Sequence, residues 1–140
     1  MNTNKITKTY LKDLVYRVNG AAIEVHKIMG PGLLENIYYE CMMQELKIRG
    51  INYKTELKIP LIFKGLKLES YLQCDMFIKD ILVLEFKAVD KINPIEVSKL
   101  MSYMNQLESP LGLMINFNVS NIFSEGQKTY VNERSRRLDN

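Results

Sequence analysis

Three charged residues within largely apolar segments have the types and the spacing that phosphodiester chemistry requires. Asp75 lies in one segment with strand character, and Glu85 and Lys87 lie in the next. Side chains alternate between the two faces of a strand, so Glu85 and Lys87 share a face. An ionised group buried without a partner costs several kcal/mol, so this face must open into a cleft or meet a metal ion. Paired carboxylates suit Mg²⁺, and a lysine beside them could orient or deprotonate the attacking water.

Whether Asp75 reaches Glu85 depends on the register of the two strands, which are joined near Lys79-Asp80. A two-residue connection sets Asp75 opposite Leu84, on the wrong face. A slip of one residue sets it opposite Glu85 instead. The residues by themselves leave both registers open.

Glu35 offers a third carboxylate, directly after the Gly30-Pro31-Gly32 segment and Leu33-Leu34. Tyr38, Tyr39 and Met42 follow it at helical spacing, so Glu35 lies on a largely apolar stripe. An acid in the first turn of a helix also interacts favourably with the helix dipole. The spacing therefore supports a purely helix-stabilising role as well as a role as a ligand.

The surrounding sequence alternates between helical and strand periods. Apolar residues recur at three- and four-residue steps from Leu11 to Gly30-Pro31-Gly32, and again over 33–49. After Gly50 the period becomes two, which predicts strands over 53–59, 61–63, 66–68, 68–78, 81–89 and 111–117, with a helix over 95–108 before the last. The nearly continuous apolar run 81–89 suits a strand buried on both faces. This order predicts an α/β fold, with helices packed on a mixed sheet.

The composition is that of one soluble globular domain. The 140 residues are 46% hydrophobic and 25% charged, which excludes a disordered tail, a collagen-like fibre and a coiled-coil rod. The net charge of +3 permits nucleic-acid binding but does not argue for it. Cys41 and Cys74 have no metal-binding spacing and predict buried thiols in a reducing compartment. With no apolar leader and no run of about 18 apolar residues, a cytoplasmic location without membrane contact is expected.

Several motifs agree with one known family. Asp75 followed by Glu85-Phe86-Lys87 resembles the PD-(D/E)XK nuclease signature, and the stretch 32–38 reads Gly-x-x-Glu-x-x-Tyr, the motif that names the GxxExxY proteins, a branch of that superfamily. Agreement extends over about residues 10–118 and includes Gly20-Ala21-Ala22, Glu24-Val25-His26, Glu45-Leu46, Arg49-Gly50, Gly112-Leu113 and Ile115-Asn116-Phe117. The resemblance implies a restriction-endonuclease-like core, a central mixed β-sheet flanked by α-helices. It also implies the register that brings Asp75 to Glu85.

The residues and the resemblance together predict a Mg²⁺-dependent nuclease, a phosphodiesterase for which Mn²⁺ could substitute. DNA is favoured over RNA as its substrate. Asp75, Glu85 and the backbone carbonyl of Phe86 would hold the metal, with Glu35 as a helix-borne ligand. Lys87 would act on the nucleophilic water.

Relatives often carry a glutamine four residues before a tyrosine in the helix after these strands. Tyr103 matches the tyrosine, but Lys99 stands at the glutamine position, where it could contact phosphate instead. Tyr103, Tyr38 and His26 are candidates for accessory roles, although each also suits packing or a helix end.

The predicted organisation is a flexible N-terminus over 1–9, a nuclease-like domain over 10–118 and a polar C-terminal segment over 119–140. The basic tail of that last segment contains Arg134, Arg136 and Arg137, which could track a nucleic-acid backbone. A homodimer, or a place in a larger complex, would enlarge this surface. The alternative is a catalytically weak module with the same fold that binds nucleic acid or assembles with protein.

Overall fold

A five-stranded mixed sheet organises the chain in the computed structural model, which describes residues 5–140. In order across the sheet, the strands are β1 (Tyr53–Phe63), β2 (Leu66–Ile78), β3 (Leu82–Lys87), β4 (Leu111–Asn116) and β5 (Gln127–Val131). Only β3 and β4 are parallel; the other neighbours are antiparallel. The helices are α1 (Lys8–Met29), α2 (Glu35–Ile48), α3 (Pro94–Gln106) and the short α4 (Glu133–Arg136), and a π-helical turn spans Ile122–Gly126. The α/β fold predicted from the sequence, with a restriction-endonuclease-like sheet and flanking helices, is confirmed.

Both faces of β3 are buried, as its apolar run predicts. Leu84 and Phe86 pack into the core that α1 and α2 cover, whereas Val83 packs into the core under α3 with Leu100 and Met104. Because α3 connects two parallel strands, it crosses the face of the sheet that carries the odd-numbered residues of β3. That face is the one on which Glu85 and Lys87 lie. Within residues 5–140, none of the helices is both long and apolar enough to traverse a bilayer.

The N-terminal helix begins earlier than its apolar periodicity indicates. The Thr7 side chain accepts a hydrogen bond from the backbone N–H of Tyr10 at 3.0 Å and caps α1. The Lys8 N–H donates to the carbonyl of Asp139 at 2.8 Å. Of the predicted flexible stretch 1–9, residues 1–4 lie outside the described part of the chain, and residues 8 and 9 belong to α1.

The chain after residue 118 continues the fold, which its polar and poorly periodic sequence does not predict. β5 pairs with β4 as an edge strand, and its mostly exposed residues explain the polar composition. Asn132 caps α4 in a reciprocal arrangement with Ser135, which is buried. Arg134 and Arg136 thus lie on a short helix rather than in a loose tail, and Arg137 ends it.

Candidate active site

The turn between β2 and β3 sets the register on which the site depends. Lys79 and Asp80 have positive φ angles of 54° and 57°, and the Ile81 N–H donates to the Ile78 carbonyl at 2.9 Å to close the turn. Ile78 nevertheless pairs with Leu82, so Ile81 is left out of the ladder. Ile81 is only 8% exposed and packs into the core instead. This one-residue offset sets Asp75 opposite Glu85, the register that the family resemblance implies.

Asp75 and Glu85 bind the main chain of each other's strand. The Asp75 N–H donates to Glu85 Oε2 at 2.6 Å, and the Phe86 N–H donates to Asp75 Oδ2 at 2.8 Å. These bonds replace the ladder where it stops, beyond the pair Met76–Leu84. On the other side of β2, the ladder with β1 is also interrupted, at Glu56, which has a positive φ of 52°. Both carboxylates are thus held rigidly at a break in the sheet.

One oxygen of each carboxylate remains available. Among residues 5–140, no hydrogen bond engages Asp75 Oδ1 or Glu85 Oε1, and Asn19 Oδ1 is the one fully buried side-chain oxygen without a partner. The two available oxygens are therefore reached by solvent, although Glu85 as a whole is only 8% exposed. Carboxylates presented in this way can accept a hydrogen bond or bind a cation.

Lys87 is held by an acid that the sequence did not single out. Its Nζ lies 2.6 Å from Glu96 Oε1, in the first turn of α3, and both side chains are largely shielded from solvent. Lys99 lies 3.5 Å from the other oxygen of Glu96 but is 55% exposed. Because α3 returns across the face of β3, an acid in its first turn can reach Lys87. The one indication of this contact in the sequence is the order of the elements, because a helix that connects two parallel strands must cross the sheet.

The pKa values of the acids reflect their shared environment. Burial, followed by the charge of Asp75, raises the pKa of Glu85 to about 8. Burial also raises the pKa of Asp75, although the Phe86 N–H and Lys87 act against it. Burial and the charges of Asp75 and Glu96 raise the pKa of Glu35, while Lys87 lowers it. Glu35 is exposed at the start of α2, and no hydrogen bond or ion pair joins it to the other acids within residues 5–140.

The lysine–glutamate pair is charged. Burial lowers the pKa of Lys87, but the hydrogen bond and the negative charge of Glu96 outweigh it, so the pKa is raised overall. The hydrogen bond from Lys87 lowers the pKa of Glu96. The site thus contains the ammonium of Lys87 beside the carboxyl groups of Asp75 and Glu85, which can be protonated or can bind a cation.

The donor set suits a hard divalent cation. In the described chain, no three His, Cys, Asp or Glu side chains are grouped closely enough to hold a metal ion by themselves. Asp75 and Glu85 are adjacent, however, and Mg²⁺ needs only one or two carboxylates because it keeps several waters. Carboxylate and main-chain carbonyl oxygens are the ligand type it prefers. The residues present therefore fit a magnesium-type ion better than a softer metal.

Tyr38 positions the start of α2 and does not reach the acids. Its hydroxyl donates to the Gly30 carbonyl at 2.6 Å and accepts from the Leu33 N–H at 3.1 Å. Its ring is fully buried and stacks on Phe117 with the centroids 4.4 Å apart. The tyrosine of the Gly-x-x-Glu-x-x-Tyr stretch thus secures the glycine-rich turn, and through it the position of Glu35.

Tyr39 links α2 directly to the site, which the sequence did not predict. Its hydroxyl donates to the Asp75 carbonyl at 3.1 Å, and its ring meets Phe86 edge-on at 5.9 Å. The helix that carries Glu35 is therefore attached to the strand that carries Asp75.

Removing the Tyr38 hydroxyl should destabilise the protein. Tyr38→Phe leaves the Gly30 carbonyl and the Leu33 N–H without their partner, so we expect a loss of about 1–3 kcal/mol in the free energy of unfolding. Urea denaturation measures this. Tyr71→Phe, at a half-exposed position on β2, should change it by less than about 0.5 kcal/mol. Equal effects of the two variants would contradict the positioning role.

The remaining candidates lie around the site or away from it. The His26 ring donates from Nε2 to the Val119 carbonyl at 2.8 Å, which ties the end of α1 to the chain after β4. Tyr103 lies on the buried face of α3, where burial and the charges of Glu85 and Asp75 raise its pKa to about 12. Cys74 is buried as predicted, whereas Cys41 is only partly so.

The C-terminal arginines do not join the acids. Arg134 Nη1 lies 3.5 Å from Asn105 Oδ1, at the end of α3 opposite to Glu96. Arg136 and Arg137 lie 3.2 Å and 3.9 Å from the carboxylate of Glu133. Any contact they make with a nucleic acid would be distant from the acids of β2 and β3.

Comparison with known proteins agrees with this arrangement. The model of the PD-(D/E)XK nuclease superfamily matches residues 12–129. No curated protein and no solved structure matches the chain significantly. The matched region contains the reciprocal Asp75–Glu85 pair, Lys87 and the helices around them, and it ends within β5. This chain belongs to the PD-(D/E)XK nuclease superfamily.

Proposed function

We propose that this protein is a metal-dependent phosphodiesterase of nuclease type that hydrolyses nucleic acid, with DNA as the substrate. The observation that carries the proposal is the reciprocal bonding of Asp75 and Glu85, which leaves one oxygen of each carboxylate available at a break in the sheet. Two acids held close together in this way raise each other's affinity for a cation. Membership of the nuclease superfamily supports the same function.

The proposed ligands are Asp75, Glu85 and the backbone carbonyl of Phe86, with Glu35 as a further acid. Mg²⁺, or Mn²⁺ in its place, would polarise the phosphate and acidify a bound water. The protein's own part is to present oxygen donors in a fixed geometry. The Phe86 N–H orients Asp75, the Asp75 N–H orients Glu85, and Tyr39 attaches α2 to the carbonyl of Asp75.

Lys87 is the proposed catalytic lysine. It shares a face of β3 with Glu85, and Glu96 holds its ammonium in place at 2.6 Å. An ammonium so placed can orient the attacking water and offset the negative charge that develops on phosphorus. Its raised pKa keeps it cationic, which suits orientation and charge stabilisation.

A cleavage assay with a matched pair of variants tests this proposal. Linear, nicked, branched and single-stranded DNA and RNA are incubated with Mg²⁺, Mn²⁺ or EDTA. We expect cleavage of DNA only with a divalent cation, and a higher melting temperature when Mg²⁺ is added, since selective binding stabilises the native state. Asp75→Asn should abolish both effects, because the amide keeps its bond with Phe86 but lacks the charge.

The control is Asp80→Asn, which removes the same charge from an exposed residue in the turn between β2 and β3. It should retain cleavage and the thermal shift. If the wild-type protein did not cleave any of these substrates, the proposed enzymatic function would be wrong. If it bound DNA without cleaving it, the alternative function, a catalytically weak module that binds nucleic acid, would be favoured.

A further inference from the structure

A groove beside α1 is not used by the candidate active site. Two adjoining cavities of about 470 and 510 Å³ form it, between α1 and the edge strand β5. They share Lys12, Val15 and Thr129 in their walls, so they are continuous. We call this feature the basic groove.

Cations line the basic groove without any acid. Within the described chain, its walls contain five cationic side chains and no carboxylate; the cations are Lys8, Lys12, Arg17, Arg49 and Arg136. Arg49 pairs with Glu45 and Arg136 with Glu133, whereas the other three form no ion pair with residues 5–140. The chain carries only +3 overall, so five cations in one groove are a local excess of positive charge. This charge is complementary to a polyanion.

Two exposed aromatic rings lie among these cations. Tyr16 of α1 is 77% exposed and Phe123 of the π-helical turn is 69% exposed, and both line the groove. Rings exposed beside lysine and arginine are the usual platform for stacking bases of a single strand. An acidic peptide would match the charge but would give these rings no comparable partner. Tyr16 and Phe123 are far apart in the sequence, so only the fold brings them together.

The groove extends toward the end of the sheet that carries the acids. It follows α1 from Lys8 to Ile23, about 22 Å at the helical rise, which accommodates roughly six nucleotides at a stacked rise of about 3.4 Å each. Its Phe123 end follows β4, and Asn116, the last residue of β4, pairs with Lys87 of β3. The groove therefore ends beyond the same end of the sheet as Lys87, but on the α1 side, whereas Glu85 and Lys87 lie on the face that α3 crosses. A strand bound in the groove would pass around this end of the sheet to reach the site.

We propose that the basic groove binds a single-stranded segment of nucleic acid, with its phosphates on Lys12 and Arg17 and its bases against Tyr16 and Phe123. This inference rests on the proposed function, because the bound strand would be part of the substrate.

Binding measured without cleavage tests the groove. Fluorescence anisotropy of a labelled 12-nucleotide single-stranded DNA in EDTA compares the wild type with two variants. Lys12→Glu/Arg17→Glu should raise Kd at least tenfold and make Kd less dependent on salt, because two phosphate contacts are lost. Tyr16→Ala/Phe123→Ala, which leaves the charge unchanged, should raise Kd about tenfold through lost stacking. Circular dichroism checks that each variant folds.

The control is Lys58→Glu/Lys67→Glu on the β1–β2 hairpin, which makes the same charge change at exposed positions remote from the groove. Equal weakening by the two charge reversals would overturn the proposal. The proposal would also be overturned if poly-glutamate at matched charge displaced the DNA and Tyr16→Ala/Phe123→Ala left Kd unchanged. That combination would indicate an acidic protein partner instead. Because binding is measured in EDTA, a wild type that never cleaves DNA would reject the nuclease while leaving this result intact.

Discussion

Lys87→Met lowers cleavage by about a hundredfold or more while Mg²⁺ still raises the melting temperature. Methionine keeps the length and packing of the side chain but removes the ammonium that would orient the attacking water and stabilise charge on phosphorus. Losing one such electrostatic group typically costs that much in rate. The proposed ligands Asp75 and Glu85 are untouched, and each remains bonded to the opposite strand. Single-turnover cleavage, measured beside a thermal-shift titration with Mg²⁺, separates catalysis from metal binding.

Lys99→Met is the matched control, because Lys99 contacts the same carboxylate of Glu96 but is largely exposed. We expect it to retain most of the activity. If both variants lost activity equally, the effect would arise from freeing Glu96 in the first turn of α3. If Lys87→Met removed the thermal shift as well, Lys87 would be needed to hold the site together rather than for the reaction.

The strands and helices could be predicted because their signals are local. The apolar run 81–89 predicts a strand buried on both faces, and β3 has that burial. The Gly30-Pro31-Gly32 breaker ends α1 at Met29, where Gly30 has a positive φ of 72°. Each of these features depends on a few neighbouring residues, so the sequence contains it in full.

The register of β2 and β3 could not be derived from the residues, because it depends on a distant contact. Lys79 and Asp80 form a turn that would suit a two-residue hairpin, but Ile81 packs into the core with α1 and shifts the pairing by one. The residues next to Ile81 do not indicate that its side chain packs into the core instead of pairing with β2. Only the family resemblance favoured the observed register.

Partners brought together by chain crossings were missed for the same reason. Glu96 meets Lys87 because α3 returns over β3, and Tyr39 reaches the carbonyl of Asp75 because α2 packs near β2. β5 is polar because it is an edge strand, so its sequence resembles that of a loop. In each case the sequence gives the type of the residue but not the distant residue or strand that it contacts.

Raising the pH from about 5.5 to 8 should destabilise the metal-free protein. The pKa of Glu85 is about 8 in the folded state, against an ordinary value of 4.5, chiefly because of burial and then the charge of Asp75. Between these values the folded state holds a proton that the unfolded state has released. The free energy of unfolding therefore falls as pH rises, by at most about 1.4 kcal/mol per pH unit for one proton. The raised pKa of Asp75 acts in the same direction.

Glu85→Gln should flatten this dependence, since its amide oxygen can accept the Asp75 N–H as Glu85 Oε2 does, and the side chain stays neutral. Urea denaturation in EDTA at several pH values measures the slope, and the exposed Glu69→Gln on β2 serves as the control with the wild-type slope. A wild-type stability that rises over this range, or parallel slopes for wild type and Glu85→Gln, would refute the buried-proton account.

The same experiment links stability to the proposed site. At pH 8, close to the pKa of Glu85, about half of the Glu85 carboxyls are ionised, and their charge is repelled by that of Asp75 within a largely buried site. A divalent cation bound between them would relieve that repulsion and stabilise the folded state by mass action. Added Mg²⁺ should therefore recover stability in the wild type at pH 8 and have little effect on Glu85→Gln. If Mg²⁺ restored the stability of both proteins, the cation would bind at another site. If it restored the stability of the wild type alone, Glu85, the residue with the raised pKa, would also be a ligand of the metal.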